Sequence, residues 1–373
     1  MNRIAIFSFY NSSGIVEDYV LFLIKELNSV ADIVYIVING IISDDGLQIL
    51  EKNADHIIVR DNAGFDAGAY KSVISSEKYI HEIENADRLI LCNDTFFGPF
   101  VPFAQIFNKM PDHIDFWGMN YVGNCPFDHL QSYFLVMEKE AIHDTLVYFN
   151  NYVHESESDI REIYATLETG LFNYLCSMGH RWGSYVESED IDIYKSGDLA
   201  IIKYGLPILK KKFFLEADSI NNVKTALSYI RNRTNYNIYL VLDCIRHEYG
   251  VELKERDLSE SETEYMTSDA VYMSHRNVSE EALSDFFKNE NVYIYGEGII
   301  ARKVYNLYSH FNCFRGFVVT DNTKLNRRIL YGLPVDEYDG RYDSKNVIVA
   351  LNKNNTAELI NQIGHKINWM YLW

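Results

Sequence analysis

Proline is scarce in this chain, with six residues in 373, and basic side chains are outnumbered, 34 against 53 acidic ones, for a formal charge of −19. A surface of that sign repels polyanions, so no nucleic-acid partner is expected. Cysteine is sparse too. Cys92, Cys125, Cys176, Cys244 and Cys313 are odd in number, widely spaced and free of any C-x-x-C pair, which argues against a zinc ribbon or dithiol centre and fits a reducing cytoplasm. No His-x-x-x-His spacing supports zinc. No run reaches the roughly 20 apolar residues of a membrane helix. The N-terminus enters a strand-like run, Ile4-Ala5-Ile6-Phe7, without a signal-peptide pattern. Internal repeats and low-complexity segments are also missing.

What remains is a chain 47% apolar, long enough for two or three domains. Its first part alternates strand and helix signals: strands at Ile4–Tyr10, Ile33–Ile38, His56–Val59 and Arg88–Cys92, with helices at Val16–Asn28, Gly46–Lys52 and Ala69–Ser76 between them. Further strands are expected at Asp115–Val122 and Gln131–Met137. From Ser156 to Met178 the apolar residues Ile160, Ile163, Tyr164, Leu167, Leu171, Tyr174, Leu175 and Met178 follow helical spacing, as do two sets within Asp218–Gly250. Ser259–Val278 is acidic and rich in Ser, Glu and Thr, and reads as a linker. The α/β rhythm then restarts, with three strand signals. The expected division is therefore an α/β domain over 1–215, a helical extension over 216–258, a linker over 259–285 and a smaller Rossmann-like α/β domain over 286–373.

Two segments of the first domain carry chemistry. Asn62-Ala63-Gly64-Phe65-Asp66-Ala67-Gly68-Ala69-Tyr70 is a glycine-rich turn, in which backbone can approach a ligand closely. Asn93-Asp94-Thr95 closes the apolar run Leu89-Ile90-Leu91-Cys92, and places a carboxylate at the carboxyl end of a buried strand. Ligands of open α/β sheets bind at such strand ends. Together the segments suit a nucleotide sugar, whose diphosphate takes a cation held by one or two protein carboxylates. Asp94 alone equally suits an Asx turn. On the later helix, Glu168 shares the stripe of Tyr164, Leu171 and Leu175 and is the first candidate base. Asp128, in a loop with Gly123 and Pro126, is the second.

Four ordered motifs, Asp61 to Tyr70, Leu91 to Pro99, Phe116-Trp117-Gly118, and His129-Leu130-Gln131-Ser132-Tyr133-Phe134, resemble those of the rhamnan synthesis protein F family over roughly Met1 to Phe214. The same region is more distantly similar to family 2 glycosyltransferases of GT-A fold. The resemblance implies a cytoplasmic transferase, inverting in its chemistry, that moves rhamnose from its dTDP derivative to a growing cell-surface glycan or a lipid-linked glycan. It implies Asp94 as ligand of a divalent metal, Mn or Mg. Asn62, Gly64, Asp66, Gly68, Tyr70, Asn93 and Thr95 would border the donor, and Glu168 would be the catalytic acid residue. One carboxylate stands where a full D-x-D has two, so metal dependence is open.

Two features lie outside that pattern. Lys210-Lys211-Lys212 stands out in an acidic chain and suits the donor diphosphate, an anionic membrane surface at the inner face of the cell membrane, or a solvated charge run. Tyr295-Gly296-Glu297-Gly298-Ile299-Ile300-Ala301, with Asp321 about 20 residues on, matches a dinucleotide fingerprint. An NAD-dependent oxidoreductase using Gly296, Gly298 and Asp321, and a non-catalytic scaffold for polysaccharide assembly, are the competing readings.

Overall fold

Apolar residues continue on both sides of the first strands, and both sides are covered. The computed structural model describes residues 2–123, 128–187, 192–254, 258, 280–289, 291–297, 299–320, 329–351 and 353–372. Strands β1 (Arg3–Phe9), β2 (Ile33–Asn39), β3 (His56–Arg60) and β4 (Arg88–Asn93) are parallel neighbours in the order β3-β2-β1-β4. Ala5, Phe7, Phe9, Val34, Ile36, Ile38, Ile90 and Cys92 pack into one layer, and Ile4, Ile6, Tyr35, Val37, Leu89 and Leu91 into the opposite one. Period-two alternation with both faces buried is what a central parallel strand requires. The helices Asp18–Asn28 and Phe65–Ile74 supply part of that cover, with Tyr19, Val20, Leu23, Ile24 and Leu27 buried on the first.

The sheet continues through antiparallel strands. A short strand β5 (Phe96–Phe97) follows β4; then come β6 (Phe116–Val122), β7 (His129–Leu130), β8 (Phe134–Glu138) and β9 (Trp182–Glu187). The order runs β4-β8-β6-β7, with β9 parallel to β6. The strand expected over Gln131–Met137 thus begins only at Phe134, after a turn in which Ser132 N–H donates to Glu168 Oε1 at 3.1 Å. Strand β10 (Leu209–Lys210) pairs antiparallel with β5. This pairing brings the lysine run to the end of β4.

The helix expected over Ser156–Met178 forms from Ile160, capped by Asp159, to Ser177, but its middle, Ala165–Gly170, is a π-helical turn. The Tyr148 hydroxyl donates to Thr166 O at 2.9 Å, a carbonyl that also accepts the wide-turn bond from Leu171 N. The stretch Asp218–Gly250 divides into Ile220–Arg233 and Tyr239–Tyr249.

The C-terminal unit holds more strands than its apolar runs announce. Strands β11 (Val292–Tyr295), β12 (Phe314–Val319), β13 (Ile329–Leu330), β14 (Leu333–Glu337), β15 (Asn346–Val349) and β16 (Trp369–Tyr371) form one sheet in the order β13-β14-β12-β11-β15-β16. All neighbours in it are parallel except β13 and β14. Leu333–Glu337 and Trp369–Tyr371 escape a periodicity reading because Pro334 and Asp336 interrupt the first and the second is only three residues long. The hairpin β13–β14 packs on β9: Gly332 N donates to Tyr185 O at 3.0 Å and the Tyr331 hydroxyl to Lys203 O at 3.0 Å. The expected α/β class is thus observed, as two sheets dominated by parallel pairing. The acidic stretch Ser259–Val278 lies outside the described residues. No helix among the described residues is long and apolar enough to cross a membrane.

Candidate active site

Each of the four parallel strands carries a polar residue at or next to its carboxyl end, and a continuous chain of hydrogen bonds joins them. Arg60 Nη1, at the end of β3, donates to Asn39 Oδ1 at 2.8 Å, and Asn39 Nδ2, at the end of β2, donates to Ser8 Oγ at 3.0 Å. Ser8, near the end of β1, donates to Asp66 Oδ1 at 2.7 Å, and Asn93 Nδ2, at the end of β4, donates to Asp66 Oδ2 at 2.7 Å. Thr95 Oγ1 donates to Asn93 Oδ1 at 2.7 Å, and Lys210 Nζ to Thr95 Oγ1 at 2.5 Å. Asp66 bridges the β1 and β4 ends, where strand order reverses. That switch point is where open α/β sheets take ligands.

The glycine turn serves this arrangement as backbone geometry. Gly64 adopts φ +69° and begins the helix Phe65–Ile74, four residues earlier than the spacing predicts. A Cβ there would stand 2.7 Å from Glu155 O, and one on Gly68 would stand 2.8 Å from Arg60 Nη2. Gly64→Ala is expected to destabilise the fold by at least about 1–2 kcal/mol from the left-handed backbone alone, read as a lowered Tm; an unchanged melting curve would refute the assigned strain. Asn62 is partly exposed and makes no hydrogen bond among the described residues. Tyr70 is wholly buried beside Ile6 and Tyr35, and its hydroxyl, on which Asp66 and Asp94 act electrostatically, has no hydrogen-bond partner among the described residues.

Asp94 is 5% exposed and sits among charges. It accepts from the Tyr19 hydroxyl at 3.2 Å and lies 3.8 Å from Lys211 Nζ, which also donates to Tyr19 at 2.8 Å and pairs with Glu248 at 2.9 Å. Burial pushes the Asp94 carboxyl up to about 6, Lys211 opposes the rise, and Asp66 and Glu248 add to it. Burial also works against the Lys211 charge, but Asp94 and Glu248 hold its ammonium above the ordinary lysine value. Asp66 is raised as well, by burial, against its bonds from Ser8 and Asn93.

Glu168, on the π turn, lines an apolar cavity with Phe116, Leu130, Leu135, Leu167 and Leu171. Its Oε1 accepts from Ser132 N and Ser132 Oγ, both at 3.1 Å, and its Oε2 lies 3.4 Å from His129 Nε2. Glu168 also acts electrostatically on Lys210, upholding the charge of that ammonium. The structure therefore places Asp66, Asn93, Asp94 and Thr95 at the strand ends, with Glu168 connected to them only by its electrostatic effect on Lys210. Asp128 stands just before β7, partly exposed, without a hydrogen bond or ion pair among the described residues.

No group of three His, Cys, Asp or Glu side chains that could hold an ion occurs among the described residues. Asp94, the implied ligand, is directed to Tyr19 and the Lys211 ammonium, and both Asp66 oxygens accept from Ser8 and Asn93. The lysine run is likewise not a solvated one: Lys210 and Lys211 are buried in the site and only Lys212 is exposed. Two buried ammonium groups offer nothing to a membrane surface.

Sequence reading missed Ser8, Asn39, Arg60, Tyr19 and Glu248. The available signal for three of them was a polar residue at or next to the carboxyl end of each apolar strand. In the C-terminal unit Gly296 adopts φ +110°, and a Cβ there would stand 3.0 Å from Ala350 O, so this glycine lets two strand ends approach. Gly298 and Asp321 lie outside the described residues.

The chain matches the family described as rhamnan synthesis protein F over residues 34–284. It is 31% identical over 135 residues to the Virulence protein VirA of Vibrio anguillarum, a match covering 35% of this chain and 42% of that protein. It thus spans less than half the length of the curated relatives it matches. Among solved structures it is similar to the glycosyltransferase GlyE of Streptococcus pneumoniae TIGR4, at 12% identity over 97% of this chain and 89% of that one, with a TM-score of 0.31. It is also similar to glucosyl-3-phosphoglycerate synthase of Mycobacterium tuberculosis, solved with Mn2+, uridine diphosphate and phosphoglyceric acid, at 12% identity over 38% of this chain and 58% of that one, with a TM-score of 0.27. No residue correspondence is drawn from overlaps of that extent. The family match spans more than half of the chain, and the protein belongs to the rhamnan synthesis protein F family, which is glycosyltransferase-like.

Proposed function

We propose that this protein is an inverting glycosyltransferase that moves a sugar, rhamnose from dTDP-rhamnose, onto a growing cell-surface polysaccharide, free or lipid-linked, at the cytoplasmic side of the membrane. The observation that carries the reading is the Asp66-centred chain of bonds across the β1–β4 switch point, which ends on Lys210, an ammonium on which Glu168 acts electrostatically. In this reading Asp66, Asn93 and Thr95 border the donor diphosphate, and Glu168 takes the proton of the acceptor hydroxyl as that oxygen attacks the sugar. Ser132 fixes one Glu168 oxygen, which leaves the other, beside His129, for the acceptor. Residues 1–215 would carry the transfer, while 216–258 brace the site through Glu248 and 286–373 serve assembly or regulation.

A binding screen of nucleotides and nucleotide sugars on the full chain, with and without Mn2+, tests this. dTDP-rhamnose and dTDP are expected to raise Tm. Stabilisation by NAD with no response to any nucleotide sugar would instead favour the oxidoreductase reading, and no response to any nucleotide would favour a scaffold.

A further inference from the structure

Lys210 is the unusual group of this site. Its side chain is 5% exposed, its ammonium donates to Thr95 Oγ1 at 2.5 Å and lies 4.4 Å over the Tyr133 ring, and no carboxylate stands within ion-pair distance of it among the described residues. The neighbouring Lys211 is the opposite case, engaged by Glu248, Asp94 and Tyr19. A lysine ammonium has three donors, of which Lys210 uses one on a protein oxygen. Buried charges in folded proteins are ordinarily paired. One left without a counter-ion at a strand-end crevice is a place for an anion.

Resting on the sugar-nucleotide reading above, we propose that Lys210 binds the donor diphosphate and takes up the charge of the departing nucleoside diphosphate, in the role a divalent cation would otherwise fill. In the transfer, the acceptor oxygen forms a bond to the anomeric carbon while the bond from that carbon to the diphosphate oxygen breaks. The acceptor proton passes to Glu168, and the electron pair leaves with the diphosphate, where the Lys210 ammonium meets it. The position suits both ends of that step. Thr95 ties the ammonium to Asn93 and Asp66 on the donor side, and Glu168 acts on it from the acceptor side. Burial pulls the Lys210 ammonium down to about 8, consistent with a cation that lacks its partner until an anion arrives.

Titration calorimetry of the full chain with dTDP and with UDP, in EDTA and in Mn2+, tests the proposal. Binding in EDTA is expected, with Mn2+ adding little. Lys210→Met, which keeps the length of the stem and removes a buried charge, is expected to weaken binding at least tenfold. Lys210→Arg is expected to keep most of it, and Lys212→Met, on an exposed side chain, to change nothing. Binding that requires Mn2+ and survives Lys210→Met overturns the inference and leaves the sugar-nucleotide reading intact. No binding of either diphosphate under any condition overturns both. The comparison of EDTA with Mn2+ on the unaltered chain decides the metal question even if the Met variant does not fold.

Discussion

Glu168→Gln lowers the rate of sugar transfer by roughly 10²–10⁴-fold, the usual contribution of a general base, while donor affinity and melting temperature stay near those of the parent protein. The amide keeps an oxygen in place of Oε1, so Ser132 N and Ser132 Oγ retain their acceptor and the break between β7 and β8 keeps its shape. What the substitution removes is the basic oxygen beside His129 Nε2. Steady-state kinetics with dTDP-rhamnose, or with whichever donor the binding screen identifies, separates the two effects. The expected result is a fall in kcat with an unchanged donor KM. A fall in affinity with kcat intact would mean that Glu168 shapes the donor pocket and performs no proton transfer.

Asp94→Asn is expected, at pH 8, to stabilise the fold. The sign follows from the direction of the shift. Burial raises the Asp94 carboxyl to about 6 in the folded chain, against about 3.9 when unfolded. The stability this group contributes is therefore present in full below the unfolded value and is lost as pH rises through 6. Above pH 7 the folded protein bears an ionised, buried carboxylate at a cost of roughly 3 kcal/mol, which the amide avoids. Lys211 keeps Glu248 as its partner in the variant, so no cation is stranded. The variant should melt about 5 °C above the parent at pH 8, with the gain shrinking toward pH 4. A variant that melts lower at every pH would show that the Tyr19 and Lys211 contacts outweigh the burial cost.

Much of the first sheet is legible along the chain because its strands are apolar on both faces and short loops join them to amphipathic helices. β1 to β4 lie within a residue or two of the expected runs, and Asn93-Asp94-Thr95 does close β4. The glycine turn is legible as a turn, but the helix after it begins at Phe65, since Gly64 itself supplies the left-handed residue that starts it. Tyr70, five residues into that helix, falls on its buried face.

The sequence by itself determined the parallel strands, the polar residues that end them and membership of the rhamnan synthesis protein F family, because hydrophobic period and ordered motifs are local properties. Only the tertiary structure decided where the charges go. Lys210 reaches Thr95 across 115 residues, and Lys211 reaches Tyr19 across 192, through the pairing of β10 with β5. A run of three lysines looks solvated in one dimension, since nothing in its own neighbourhood shows that a two-residue strand will carry two of them into the interior. The same holds for the π turn that carries Glu168, where Tyr148 reaches Thr166 O from another helix. Burial and charge pairing are properties of the packed chain, and they decide that Lys210 and Lys211 lie inside the site while Lys212 faces solvent.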